Sequence, residues 1–250
     1  MSVLDTVKKP EDRPVIATVT GDAGIGKTTL AATFPKPIFI RAEDGMQSIP
    51  EDMRPDAFPV INSVDDLWEQ LNALIKEDHD YKTLVIDSCT QLETMFAQYI
   101  VENDPKKPKS LNQAMGGYGA GPKAVGALHG RVRKAAGILN AKRGMHVIFI
   151  CHSDVTIIEL PDSDPYTRYD LRLSKHSMSH YVDNVDLVTY LKEQMFTKGD
   201  GERKKAISTG QRLAVCHTSA ANVSKNRYGI TEELSVEQGK NPFTQFIKGL

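Results

Sequence analysis

Two periods of apolar residue alternate along the chain. Short, nearly unbroken apolar runs recur at Val15–Thr20, Ile38–Arg41, Thr83–Asp87 and Met145–Cys151. Their length and β-branched content predict strands buried on both faces. Between them the spacing changes to that of a helix. Leu67, Trp68, Leu71, Leu74 and Ile75 follow Ser63-Val64-Asp65-Asp66, which has the form of a capping box. Leu92, Met95, Phe96, Tyr99 and Ile100 share one face behind Thr90-Gln91-Leu92-Glu93, which is expected to cap their helix. Val125, Leu128, Val132, Ala136 and Leu139 stay in phase over a helix from about Pro122 to Asn140. Residues 103–121 are rich in Pro, Lys and Gly and read as a long loop. Shorter strand-like pieces at Tyr169–Leu173, Val185–Leu191 and Leu213–His217 predict a more antiparallel C-terminal edge. The alternation implies an α/β fold, a mostly parallel sheet with helices on both faces. The organisation expected is a tail over residues 1–13, a core over 14–230 and a tail over 231–250, with no internal repeat.

Composition narrows this only a little. At 250 residues the chain is long enough to bury one sizeable core. Its formal net charge is −1, so no global basic field points to nucleic acid, and any such site has to be local. No apolar run approaches the roughly 18 residues of a membrane span, and Met1 to Pro14 is polar, so a cytoplasmic protein is expected. Cys89, Cys151 and Cys216 are far apart, which implies reduced, buried thiols rather than a disulfide frame or a zinc site.

The chemistry starts at Gly21-Asp22-Ala23-Gly24-Ile25-Gly26-Lys27-Thr28, which fits the P-loop pattern G-x-x-x-x-G-K-[ST]. With Gly at about 7% of residues, the bare pattern arises by chance in about one chain of this length in a hundred. Here it also lies between a strand-like run and the helix-like Thr29-Leu30-Ala31-Ala32, as phosphate binding requires. The backbone from Gly21 to Thr29 is expected to cradle the phosphates of ATP. Lys27 would reach the terminal phosphates, and the Thr28 hydroxyl would ligate Mg²⁺.

Three further positions sit at the carboxyl ends of predicted strands, where a sheet of this kind binds its ligand. Asp87 closes Leu84-Val85-Ile86, the form of a Walker B element, and is a candidate to hold Mg²⁺ through water; its other reading is a turn cap at Thr90. Glu43 follows Ile40-Arg41-Ala42 and would face the γ-phosphate, able to orient and deprotonate a water; its other reading is a solvated loop, Glu43-Asp44-Gly45. His152 follows the strand at 145–151 and is a candidate to sense the γ-phosphate, unless it is a structural histidine.

A second signal is a gap in charge. From Pro105 through Ser153 there is no acid, while Lys106, Lys107, Lys109, Lys123, Arg131, Arg133, Lys134, Lys142 and Arg143 fall in the same span. Within it lies Gly116-Gly117-Tyr118-Gly119-Ala120-Gly121, a glycine loop carrying one aromatic. Lys106, Lys107, Lys109, Lys123 and Arg131 with Tyr118 as a stacking side chain make a candidate single-stranded DNA path; the alternative is a solvated helix face. Lys225 and Arg227, in Lys225-Asn226-Arg227-Tyr228-Gly229, are alternate residues of an extended segment. They are expected to project from a tip into a neighbour's site as a finger in trans, or else to be a basic turn.

Together these residues resemble the RecA-type ATPase core over about residues 13–230. The resemblance implies that Glu43 is the catalytic carboxylate and that the Gly116–Ala141 loop and helix bind DNA. It makes His152 the polar residue opening a second DNA-binding loop, where RecA itself carries Gln. Lys225 and Arg227 are similar to the trans-acting pair of KaiC-like proteins and hexameric helicases. The GYGAGPK-like loop and the KNRYG end are similar to short phage-encoded ATP-binding proteins of the RecA superfamily. Those proteins imply annealing and recombination of phage DNA by an ATPase that acts as a homo-oligomer, a ring or filament, beside a cognate single-strand binding protein in the host bacterial cytoplasm. Unlike RecA itself, the chain is expected to carry no sizeable terminal domains, which bears on autonomous strand exchange but not on binding of ATP or single strands. Two further readings stand beside this one: an ATP-dependent assembly switch holding a protein partner, and a helicase or helicase loader.

Overall fold

The computed structural model describes residues 2–9, 11–162, 164–198 and 205–250. In chain order its main elements are β1 (Ile16–Gly21), α1 (Lys27–Ala31), β2 (Pro37–Arg41), β3 (Asp56–Ala57), α2 (Val64–Lys76), β4 (Thr83–Asp87), α3 (Cys89–Glu102), α4 (Ala120–Arg143), β5 (His146–Ile158), β6 (Tyr166–Leu171), α5 (Lys175–Val182), β7 (Leu187–Lys198), β8 (Lys205–Val215), β9 (Lys225–Asn226) and β10 (Leu234–Val236). The strands form one sheet in the order β10-β8-β7-β1-β5-β4-β2-β3, with β6 on the extension of β5 and β9 on β7. From β7 to β3 all neighbours are parallel, and β8 and β10 add an antiparallel edge. This is the expected α/β layout. One detail differs: the piece at Val185–Leu191 is the last parallel strand, paired with β1, and the antiparallel edge begins only at β8.

The period of two in the strands sorts side chains between two cores. Ile16, Ile38, Ile40, Leu84, Ile86, Val147 and Phe149 face the layer of α2, α3, α4 and α5. Ala17, Phe39, Val85, Ile148 and Ile150 face the other side, where the short α1 alone cannot cover a sheet of this width. The C-terminal segment completes that cover. Phe243 and Ile247 are 0% and 2% exposed against Leu30, Phe34 and Leu234, so the segment 231–250, largely exposed, is anchored to the core through these two residues. Their apolar side chains have no other place to leave water.

Helix boundaries follow local chemistry. Ser63 and Asp66 form the expected capping box at α2. At α3 the cap is Ser88, whose hydroxyl accepts from the Gln91 N–H. Thr90, expected to cap this helix, instead accepts from the His152 N–H at 2.9 Å and so ties α3 to the middle of β5, which runs on past the Cys151 at which the sequence suggests it ends. Helix α4 starts at Ala120, inside the span expected to be loop, because Gly119 takes a left-handed conformation (φ 81°) before it.

The α4–α5 contact is close. His129 of α4 is fully buried, 2.6 Å from the Tyr181 hydroxyl of α5 and 2.9 Å from the Glu93 carboxylate of α3, so one ring joins three helices. Gly126 sits where a Cβ would lie 2.7 Å from the backbone oxygen of His176. Backbone cannot yield as a flexible side chain does. Gly126→Ala is therefore expected to destabilise the protein by about 1–3 kcal/mol, read from urea unfolding, through overpacking. Gly137→Ala, whose Cβ would meet only the Arg133 guanidinium at 3.4 Å, should not be destabilising.

Candidate functional site

The loop after β1 turns back over the edge of the sheet through left-handed glycines. Gly24 and Gly26 have φ of 77° and 104°, a region costly for side-chained residues. The Gly26 carbonyl accepts from the Leu30 N–H and starts α1, so the loop ends at a helix N-terminus. Lys27, 6% exposed, donates from Nζ to the carbonyls of Gly21 (2.9 Å) and Asp22 (2.8 Å). Burial pulls its pKa below the ordinary lysine value, with the Asp87 and Glu43 carboxylates opposing that pull. The loop borders a cavity of about 460 Å³ lined by Ala23, Gly24, Gly26, Lys27, Thr28 and Thr29 on one side and by Glu43, Asp87 and His152 on the other.

Strand pairing brings the acids to this cavity. Strand β4 lies two places from β1, with β5 between them, and places Asp87 level with Ile150. The Asp87 carboxylate accepts from the Thr28 hydroxyl at 2.8 Å. Burial pushes its pKa up to about 6, against the opposing bond from Thr28. A threonine hydroxyl and a poorly solvated carboxylate, both hard oxygen donors, fit Mg²⁺. After β2 the chain crosses the end of β4, where the Ala42 N–H donates to the Asp87 carbonyl at 2.7 Å. That crossing sets Glu43 beside His152, with Nε2 3.2 Å from the carboxylate. His152 Nδ1 lies 3.5 Å from Lys27 Nζ. With the ammonium as donor, Nδ1 accepts and Nε2–H donates to Glu43, one line from lysine through imidazole to carboxylate. The bond from His152 holds the Glu43 carboxyl below the usual range, so it is ionised at neutral pH. Asp44, its neighbour, pairs instead with Arg41 at 3.1 Å.

The remaining sequence candidates lie elsewhere. Lys106, Lys107, Lys109 and Lys123 are exposed on the loop before α4 and on its first turn. Tyr118 is 105% exposed, with φ 50°. Arg131 is exposed, with its guanidinium 4.4 Å over the Trp68 ring. Arg133 donates to the Asn184 carbonyl, and Arg143 to those of Ile75 and Glu77, so part of the acid-free span is used inside the fold. Lys225 and Arg227 do not project from a tip. Lys225 opens β9 and Arg227 follows it; β9 pairs with the start of β7, whereas the P-loop leaves from the opposite end, where Gly21 pairs with Leu191. Arg227 binds Asp186 at 2.8 Å, and Lys225 donates to the Val182 and Asp183 carbonyls. The physical reason is Asp186: its buried carboxylate takes the Ile16 N–H and needs cations, which Arg13 and Arg227 supply.

Arg212 and Gln238 are among the lining residues that carry no signal in the sequence. No motif marks them; they reach the cavity only through strand register. On the other side of the loop a cavity of about 640 Å³ runs between the projecting ends of β5–β6 and β7–β8, where Tyr169 and Tyr190 stack at 4.9 Å.

Comparison with known proteins agrees with this geometry. The family model described as an AAA domain matches residues 13–228. A curated relative, the SPbeta prophage-derived uncharacterized protein YorG of Bacillus subtilis (strain 168), is 25% identical over 204 residues. That match covers 80% of this chain and 56% of the relative, so the chain spans little more than half of the relative's length.

The Asp87 environment makes a prediction about the protein without nucleotide. Its pKa of about 6 lies above the unfolded value near 4, so the ionised form opposes folding above pH 6 and the effect disappears below pH 4. Asp87→Asn should stabilise the ligand-free protein by up to about 3 kcal/mol at pH 7, fading as pH falls towards 4. Urea unfolding across pH tests this; a variant less stable than wild type at pH 7 contradicts it.

Proposed function

The chain belongs to the AAA domain family of P-loop nucleoside triphosphatases, and from that premise we propose that it hydrolyses ATP with Glu43 as the base and acts as an oligomer on single-stranded DNA. The observation that carries the catalytic part is the line from Lys27 through His152 to Glu43 beside the glycine loop. When the triphosphate enters, Lys27 Nζ exchanges the Gly21 and Asp22 carbonyls for β- and γ-phosphate oxygens. His152 then loses its nearest cation and reports the filled site to Glu43. Glu43 takes a proton from water as the water oxygen bonds to the γ-phosphorus and the bond from that phosphorus to the ADP oxygen breaks. Mg²⁺, held through Thr28 and Asp87, would neutralise charge on the phosphate oxygens.

The RecA-type reading draws support from where the base comes from. Ser88, not an acid, follows Asp87, and the second carboxylate is supplied by the loop after β2. The exposed Lys106, Lys107, Lys109 and Tyr118 support a single-strand path, and the prophage relative supports a phage setting for recombination or annealing. A second reading, a switch that holds a protein partner, is favoured by the exposed Val155, Ile157, Met195 and Phe196 on the two projecting ribbons.

The two readings diverge in experiment. Lys27→Ala should abolish nucleotide binding in equilibrium titration. Glu43→Gln should keep ATP affinity and slow turnover by on the order of 10²–10⁴, with Asp44→Asn doing much less; a damaging Asp44→Asn would mean that the base is misassigned. Neutralising Lys106, Lys107 and Lys109 should weaken single-strand binding and flatten its dependence on salt, by about 0.7 in the logarithmic slope for each phosphate no longer neutralised. Tyr118→Ala should cost about 1–3 kcal/mol of that binding. If wild type hydrolyses ATP but neither change alters DNA affinity, the partner-switch reading replaces the DNA one.

A further inference from the structure

The antiparallel edge carries a cation to the P-loop from within the same chain. Leu191 of β7 is level with Gly21, the last residue before the loop turns. Two residues on, Glu193 pairs with Arg212 of β8, and Arg212 pairs in turn with Val236 of β10. Register therefore sets Arg212 two residues beyond the end of β1, beside the loop, with Gln238 two residues past its β10 partner. Side chains alternate along β8. Leu213 faces the cavity holding Tyr190, while Arg212 faces the one holding Lys27 and Thr28.

The approach is close. A Cβ on Gly26 would lie 2.7 Å from an Arg212 terminal nitrogen, so the guanidinium rests against the loop backbone itself. Arg212 is exposed, and no ion pair holds it among the described residues. Among the described residues the arginine ion pairs are those of Arg13, Arg41, Arg143, Arg168 and Arg227. The charge of the cavity also calls for it. Its lining has three carboxylates, Glu43, Asp44 and Asp87, and besides Arg212 only Lys27 as a standing cation. A triphosphate brings further negative charge into that space, and a guanidinium presents a planar fork of donors suited to phosphate oxygens.

We propose that Arg212 binds the phosphate chain of the nucleotide in cis, completing the P-loop site from its own subunit. This deepens the nucleotide-binding part of the function above and rests on it. It also separates Arg212 from Arg227, which lies at the far end of the sheet against Asp186.

The test uses binding of ADP and of the non-hydrolysable analogue AMP-PNP to the full chain, so that it does not depend on turnover. Arg212→Ala should weaken both by about 10- to 100-fold, the range for a hydrogen bond to a charged group, with Arg212→Lys between it and wild type. Arg212→Gln, which keeps much of the length of the side chain, should match the alanine variant and serves if that one does not fold. Lys27→Ala is the control on the site: if it leaves affinity intact, the P-loop reading fails. If Lys27→Ala abolishes binding but Arg212→Ala and Arg212→Gln bind as wild type, the Arg212 assignment alone is overturned. Adding excess Lys27→Ala protein, which has an intact Arg212, should not restore affinity to Arg212→Ala protein; restoration would place the contact between subunits and overturn the cis assignment.

Discussion

The Asp87 carboxylate at the end of β4 is the constraint to which the rest of the site answers. Buried beside a sheet edge, it is poorly solvated and has too few donors to be comfortable as an anion. The Thr28 hydroxyl is its direct hydrogen-bond donor, and Lys27 is the cation whose field reaches it. Lys27 is itself desolvated and holds two carbonyls of its own loop. Burial thus disfavours the charged form of each group, while the charge of each favours the charged form of the other.

Sheet order turns this local arrangement into a site. With β1 between β5 and β7, the P-loop receives His152 from one neighbour, and Arg212 arrives through the next strand on the other side. Because β4 lies beyond β5 and β2 beyond β4, Asp87 and Glu43 come in from the same side as His152. The acids and the histidine therefore gather on one wall of the cavity and the arginine on the other. The two faces of the sheet divide the labour similarly. Helices α2 to α5 form a broad layer over one core, and the C-terminal segment closes the other beneath α1.

The opposite end of the sheet shows the same principle without chemistry. Asp186 is as buried as Asp87, but its demand is met inside the chain by the Ile16 N–H, Arg13 and Arg227. A carboxylate with its cations already in place has little left for a ligand. The contrast explains why one buried acid borders a cavity and the other a closed polar cluster. Exposed apolar side chains on the β5–β6 and β7–β8 ribbons stand at the P-loop end of the sheet.

Much of this was legible in the amino-acid order. The strand runs at 15–20, 38–41, 83–87 and 145–151, the capping box at Ser63, and the P-loop follow from periodicity and from residue types with one steric or chemical use, so neighbours in sequence suffice to read them. Glu43, Asp87 and His152 could be nominated because each closes or follows an apolar strand run, and the carboxyl ends of such runs in a parallel sheet share one edge, although β5 itself continues past His152 to Ile158. What the sequence could not decide is what depends on pairing partners far along the chain. Arg212 looks like any polar strand residue until its register with Glu193 places it over Gly26. Arg227 looks like a projecting cation until Asp186, 41 residues away, claims it. Nothing near Arg131 in sequence tells of the Trp68 ring beneath it, and nothing near Phe243 and Ile247 tells that they pack on the face of the sheet behind α1. A charge or an apolar side chain declares its type locally, but whether it is spent inside the fold or left for a ligand depends on what stands across from it. Only the tertiary structure supplies that.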